Sequence, residues 1–165
     1  MTTLLPGNRI DGFERWMARQ ATMLSAWAAM PLRLIIGYGF MVHGYAKLSR
    51  GPEAFAHVLD VLGVPAPLFF SWLTTLTELV GGFLILIGAF VAIASVPLAV
   101  VLLTALFTVH LPYGFFSVKL AEVTEKGVKF GPVGYEHLLL YLAGLMNLAM
   151  SGAGRLSIDG WRHRS

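Results

Sequence analysis

The 165-residue chain has no cysteine. Disulfides, thiolate metal sites, iron–sulfur ligation and a CxxC relay are therefore excluded, and any redox role must run through something other than protein sulfur. Charge is scarce too: Asp, Glu, Lys and Arg make up 13% of the residues, against 56% hydrophobic. Soluble domains carry about 25% charged residues, so this balance belongs to a membrane chain. No glycine-rich loop follows a strand and opens a helix, which removes the usual nucleotide and flavin fingerprints. The 12 Lys and Arg against 9 Asp and Glu leave a net charge of +3, scattered through ends and loops. That scatter speaks against a nucleic-acid face and for a basic membrane protein. The length admits one domain and no second soluble one.

What the sequence does have is long apolar runs. Residues 1–26 alternate Arg9, Asp11, Glu14, Arg15 and Arg19 with Ile10, Phe13, Trp16, Met17 and Met23 at three- and four-residue steps. This predicts a retained amphipathic helix lying in the membrane interface, and not a cleaved leader. Residues 27–46 form a first span, interrupted by Arg33 and His43. A loop follows, broken by Arg50-Gly51-Pro52 and Pro65-Ala66-Pro67, with a short amphipathic piece over Glu53–Leu62. From Leu68 to Val109 the only charge is Glu78. One helix of that length would run roughly 63 Å, about twice the hydrocarbon core, so the stretch is a hairpin of spans over 68–87 and 92–110 with its turn near Gly88–Val91. Residues 111–134 read as a loop rich in Gly and Pro, 134–151 as a fourth span and 152–165 as a basic tail. The expected fold is an all-α, integral membrane four-helix bundle over 27–151 with an N-terminal interfacial helix.

Four crossings put both ends on one side. Arg9, Arg15, Arg19, Arg155, Arg162 and Arg164 on that side, against Lys47, Arg50, Lys119, Lys126 and Lys129 on the other, place the ends in the cytoplasm of a bacterial inner membrane. Counting at about 1.5 Å per residue then brings His43, Lys47, His110, Glu136 and His137 to one outer level. Glu78 lies deeper, within an arginine side chain's reach of Arg33, which suggests a buried Arg33–Glu78 pair. Arg33, Gly37, His43, Gly44 and Lys47 share one helix side, Ser71, Thr74, Thr75, Glu78 and Gly82 another, and Glu136, Gly144, Asn147 and Ser151 a third. A charge facing lipid costs roughly 2.5 to 3.5 kcal/mol, so these stripes should face inward, with small residues allowing close approach.

The candidate ligand or proton-handling residues are Arg33, His43, Glu78, His110 and Glu136, with Lys47 and His137 secondary. Each also has a plain role: Arg33 and Glu78 as a pair fixing helix register, Lys47 snorkelling to the interface, the histidines as satisfied interfacial groups. As neutral imidazoles at one depth, His43 and His110 could instead hydrogen-bond a quinone carbonyl, relay protons, or bind haem or metal. Haem and metal suit the donor set less well than quinone, and no metal ligands are assigned. His57 and His163 fall in loop and tail and receive no role.

Several of these residues recur as an ordered set. Arg33-Leu34 with Gly37, His43-Gly44 with Lys47-Leu48, Glu78 with Gly81-Gly82, His110 before Gly114-Phe115-Phe116, Tyr135-Glu136, and the closing Gly152-Ala153-Gly154-Arg155-Leu156-Ser157-Ile158-Asp159 resemble the DoxX family of small bacterial membrane proteins. Ala153 stands where such proteins commonly carry proline. The resemblance implies a four-helix membrane fold and a link to thiosulfate:quinone oxidoreduction or to membrane redox complexes in oxidative-stress defence. Two functions follow as expectations. One is a quinone-contacting, proton-handling subunit of a redox system, not an independent enzyme, with electrons supplied by a protein partner. The other is a structural or docking subunit of a larger complex without a ligand of its own. Expected partners are the lipid bilayer, a membrane or peripheral protein and a second copy of the chain.

Overall fold

The computed structural model describes residues 7–125 and 127–162. Residues 1–6, 126 and 163–165 lie outside the described residues, as do the side chains of residues 7–11 and 21–26, among them Arg9, Ile10, Asp11 and Met23. The fold is helical: α1 (Gly7–Arg50), α2 (Pro52–Val61), α3 (Pro67–Ile87), α4 (Val91–Ala105), α5 (Glu136–Ser151) and α6 (Ile158–Arg162), with one antiparallel hairpin, β1 (Leu120–Thr124) and β2 (Gly127–Phe130). Along the main bundle α1 packs on α3, α3 on α4 and α4 on α5, and α5 returns to α1. Among the described residues, Pro67–Ile87 and Val91–Tyr113 are long and apolar enough to cross a membrane.

Two sequence expectations change here. The interfacial segment and the first span are one unbroken helix of 44 residues, with Pro31 inside it, and nothing separates residue 26 from residue 27. At about 1.5 Å per residue that helix is roughly 66 Å long, so it extends well past any hydrocarbon core. The stretch 111–134 is also not a plain loop. It holds a 3-10 turn over Leu111–Tyr113 and the β hairpin, so the chain is not purely α.

Glycine sets the closest helix contact. A Cβ on Gly37 would lie 2.7 Å from the Gly82 carbonyl oxygen, and one on Gly82 would lie 2.8 Å from that of Gly37. The two backbones therefore touch, which is the role that small residues play between helices in lipid. Ile85, Leu98, Leu145 and Leu148 fill the core beside this contact. The outer faces are apolar as well: Ile35, Val80, Ile93, Val96 and Leu140 are all more than half exposed. So much apolar surface suits lipid and would be a liability in water.

The α3–α4 turn is held from outside. Gly88 ends α3 in the left-handed region at φ 71°, and the Ala89 N–H returns to the Leu84 carbonyl at 2.9 Å. Phe90 follows at φ 50°, a costly conformation for a side chain of this size. Its N–H and that of Val91 donate to the two Asp159 carboxylate oxygens at 2.9 and 3.0 Å. Asp159 thus caps the start of α4, where the helix dipole favours an anion.

Candidate functional site

Arg33 does not meet Glu78. It is buried on α1 and its guanidinium donates to four backbone carbonyls: Nε to Ile85 at 3.2 Å, Nη2 to Leu86 at 3.0 Å, and Nη1 to Ala153 at 2.7 Å and Leu156 at 2.8 Å. The first pair closes the C-terminal end of α3, where a cation is favoured by the dipole; the second fastens the segment after α5. The acidic group facing Arg33 is Asp159, the residue that caps α4. The expected Arg33–Glu78 pair is thereby replaced, because the backbone carbonyls gathered at the C-terminal end of α3 and after α5 satisfy the planar fork of an arginine better than one distant carboxylate.

Glu78 pairs with Lys47 instead. The Lys47 ammonium lies 2.5 Å from both Glu78 carboxylate oxygens and 4.7 Å from the Phe55 ring centroid on α2. Ser71, two turns earlier on α3, donates to the Pro52 carbonyl at 2.6 Å and so holds the start of α2 over this pair. Thr75 spends its hydroxyl on the Ser71 carbonyl. The polar stripe predicted on this helix does face inward, with Ser71, Thr75, Glu78 and Gly82 all buried. On α5 the expected stripe is only partly inward: Gly144 is buried, while Asn147 and Ser151 are exposed and bond each other.

The pair borders a cavity of about 750 Å³ enclosed by α1, α2, α3, α4 and α5. Its wall is mostly apolar, with His43, Lys47, Glu78, His110 and His137 set into it beside Thr74, Thr77 and Tyr141. Five of the seven candidate residues therefore share one space; Arg33 and Glu136 do not line it. Leu73 on α3 and Val96 and Val100 on α4 line it as well, and all three are exposed. The cavity consequently reaches the protein surface between these two helices, beside the two segments able to cross a membrane.

The histidines are fixed by the C-terminal end of α4. That helix does not finish as a regular α-helix: Leu106–His110 is a π turn, a local widening found often at functional sites. It presents His110, whose Nδ1 lies 2.9 Å from the Val133 carbonyl. Since a carbonyl only accepts, Nδ1 is the donor in this contact. The His137 ring stands nearly perpendicular to it, with centroids 5.1 Å apart. His43 completes the group from α1 and is largely accessible. Among the described residues no three His, Asp or Glu side chains come together as a metal site.

Glu136 has a different employment. Its carboxylate accepts from the Ser117 N–H at 3.0 Å, while Ser117 Oγ accepts from the His137 N–H at 3.1 Å. The exchange has the logic of a capping box, with the serine supplied by the preceding loop. It anchors the start of α5 and so positions His137, but it turns Glu136 away from the cavity. The residue that composition-based reasoning passed over is Tyr141, one turn after His137 on the same face and edge-on to Phe40 at 5.6 Å. That i, i+4 spacing was the available signal.

A helical membrane protein with an ionisable, largely apolar-walled cavity at one level of its bundle is the class these observations define. The chain belongs to the DoxX family, whose pattern matches residues 28–111. It is 31% identical over 136 residues to "Uncharacterized membrane protein Rv3486" of Mycobacterium tuberculosis, covering 78% of this chain and 77% of that protein. It is 30% identical over 128 residues to "Putative oxidoreductase CatD" of Bacillus subtilis, with 78% and 81% covered. A Haemophilus influenzae protein is 30% identical over 130 residues, with 78% and 85% covered. No solved structure matches the chain.

Proposed function

We propose that this DoxX-family membrane protein is a subunit of a redox system whose cavity receives the head group of a membrane quinone. The observation that carries the reading is the cavity itself, about 750 Å³, apolar over most of its wall and bearing a lysine, a glutamate and three histidines. That size is in the ordinary range for small-molecule pockets, and ionisable side chains at membrane depth mark proton or ligand sites by default. The oxidoreductase name carried by the Bacillus subtilis relative agrees with it. A bound quinone would supply joint carriage of electrons and protons. The chain's own part is to bind and to handle protons. Lys47 and His43 can donate to a carbonyl oxygen, and His110 Nε2 can accept a hydroxyl proton. Glu78, neutralised by Lys47, can hold a proton once that ammonium turns toward a ligand. With no cysteine, the electrons come from a partner protein.

The same reading places α1, α3, α4 and α5 across a bacterial inner membrane as four crossings, with both ends cytoplasmic. A phosphatase reporter fused after Ser165 should stay inactive while one inserted at the β1–β2 turn is active; the reverse pattern overturns the orientation.

The cavity is tested by purifying the protein in mild detergent and measuring extracted quinone by mass spectrometry. Quinone should accompany the wild type in near-stoichiometric amount and fall in His110→Ala and Glu78→Gln. A quinone-free protein that also fails to bind an added short-tailed ubiquinone analogue, while co-purifying with another subunit, favours the docking role. The observation on that side is the exposed, aromatic N-terminal part of α1, where Phe13 and Trp16 stack at 6.0 Å.

A further inference from the structure

The β hairpin carries a feature that the cavity does not use. Strands β1 and β2 pair Val123 with Val128 and Glu122 with Lys129, and a bulge between Leu120 and Glu122 lets Leu120 pair with Phe130. In a regular strand Leu120 would share a face with Glu122 and Thr124. The extra residue, Ala121, reverses that, as bulges do. Leu120, Val123, Val128 and Phe130 therefore fall on one face, while Glu122, Thr124 and Lys129 take the other, where Glu122 and Lys129 pair at 2.9 Å. All four apolar side chains are more than half exposed, so the chain itself covers none of this face.

We propose that this face lies on the bilayer, seated in the outer interface beside the bundle. The helical segment Val91–Tyr113 is one of the two able to cross the membrane, and the hairpin begins seven residues beyond its end. Between them Phe115, Phe116 and Val118 are exposed, so the apolar surface runs from the spanning helix to the hairpin without a polar gap except Ser117 and Lys119. The stem is short and tied down: Gly114, Phe115, Phe116 and Lys119 accept backbone bonds from Tyr135, Glu136, Gly134 and Gly131. The ribbon is thus anchored at the membrane surface at both of its ends. An isolated two-stranded hairpin is marginal in water, and a segregated apolar face opposite a charged one is what an interfacial element needs.

This inference depends on the crossing by α4 and not on any quinone. Since the chain has no native cysteine, single nitroxide labels can be placed at Val128→Cys and Phe130→Cys, with Lys129→Cys and Thr124→Cys on the polar face. Phe107→Cys on the spanning segment serves as the membrane reference. In phosphatidylethanolamine–phosphatidylglycerol vesicles, the ratio of collision with oxygen to collision with a water-soluble nickel chelate should be several-fold higher at 128 and 130 than at 124 and 129. Equal, high nickel contact on both faces overturns the proposal. So does protection from both reagents, and so does dipolar broadening at 128, which marks a second copy. If Phe107 itself reports water, the crossing by α4 fails and the seating of the hairpin falls with it.

Discussion

The Lys47 ammonium grips both carboxylate oxygens of Glu78 at 2.5 Å, joining α1 to α3 at the wall of the cavity. The Glu78 side chain is 6% exposed and that of Lys47 21%, so the carboxylate depends on its partner more than the ammonium does. Stranding a buried charge is costly, whereas removing both members together often is not. Lys47→Met should accordingly lower stability by about 2 kcal/mol, and adding Glu78→Gln should recover part of it. Thermal unfolding in detergent of the two single variants and the double variant measures the coupling. Arg33→Met combined with Glu78→Gln should show no such coupling, because those residues share no contact.

Arg33 and Asp159 together close the end of the bundle that holds the α3–α4 turn. Lysine in place of Arg33 keeps the charge but cannot present planar donors to four carbonyls on α3 and the C-terminal segment, so Arg33→Lys should cost about 2 to 4 kcal/mol. Asp159→Asn, which weakens the cap on α4, should cost about 1 kcal/mol. In both variants residues 152–162 should become the first point of proteolytic cleavage. An unchanged cleavage pattern would mean that the tail is held by something else.

How far this architecture was legible follows from what each residue's partner is. Depth counting along apolar runs brought His43, Lys47, His110 and His137 together, since helical rise and a common boundary fix level without knowledge of packing; it also set Glu136 at that level, which does not line the cavity, and set Glu78 deeper, which does. The same counting paired Arg33 with Glu78 because it sees side chains only; the four carbonyls that Arg33 binds have no letter in the sequence. Asp159 belonged to a recognisable closing motif, yet its action on Phe90 depends on a fold-back that no periodicity records. The hairpin was hidden by its bulge, which breaks the alternation of Leu120, Glu122 and Val123 that would have marked a strand. The absence of any break at residue 26 reflects good helix formers running continuously through a change from mixed to apolar composition.

Glycines on α1 offer a prediction whose sign differs by position. Gly37 touches the backbone of α3 at Gly82 and Leu86, whereas a Cβ on Gly12 would meet nothing within 4 Å. Alanine is favoured over glycine in a helix by about 1 kcal/mol, so Gly12→Ala should be neutral or slightly stabilising. Gly37→Ala must push two helices apart and should lose about 1 to 3 kcal/mol or more. Melting temperatures of the two variants should move in opposite directions; a shared direction would place the α1–α3 contact elsewhere.

Glu136 and His110 separate anchoring from ligand contact. Both sit at the same end of the bundle, but Glu136 is spent on the Ser117 N–H, while His110, held through Nδ1 by the Val133 carbonyl, lines the cavity. Glu136→Gln keeps an acceptor oxygen for Ser117 and loses only the charge, so it should cost about 1 kcal/mol of stability and leave ligand content unchanged. His110→Ala removes an acceptor from the cavity wall and frees the Val133 carbonyl at an exposed site, where water can replace the bond. Its stability should therefore change little, while retention of the reduced quinol, whose hydroxyl can donate to the imidazole, should weaken by a factor corresponding to about 1 to 3 kcal/mol. Quinone content by mass spectrometry, read beside the melting temperature of each variant, distinguishes the two. Loss of quinone in Glu136→Gln with retention in His110→Ala would reverse the assignment and move the ligand from the α3–α4 cavity to the loop that caps α5.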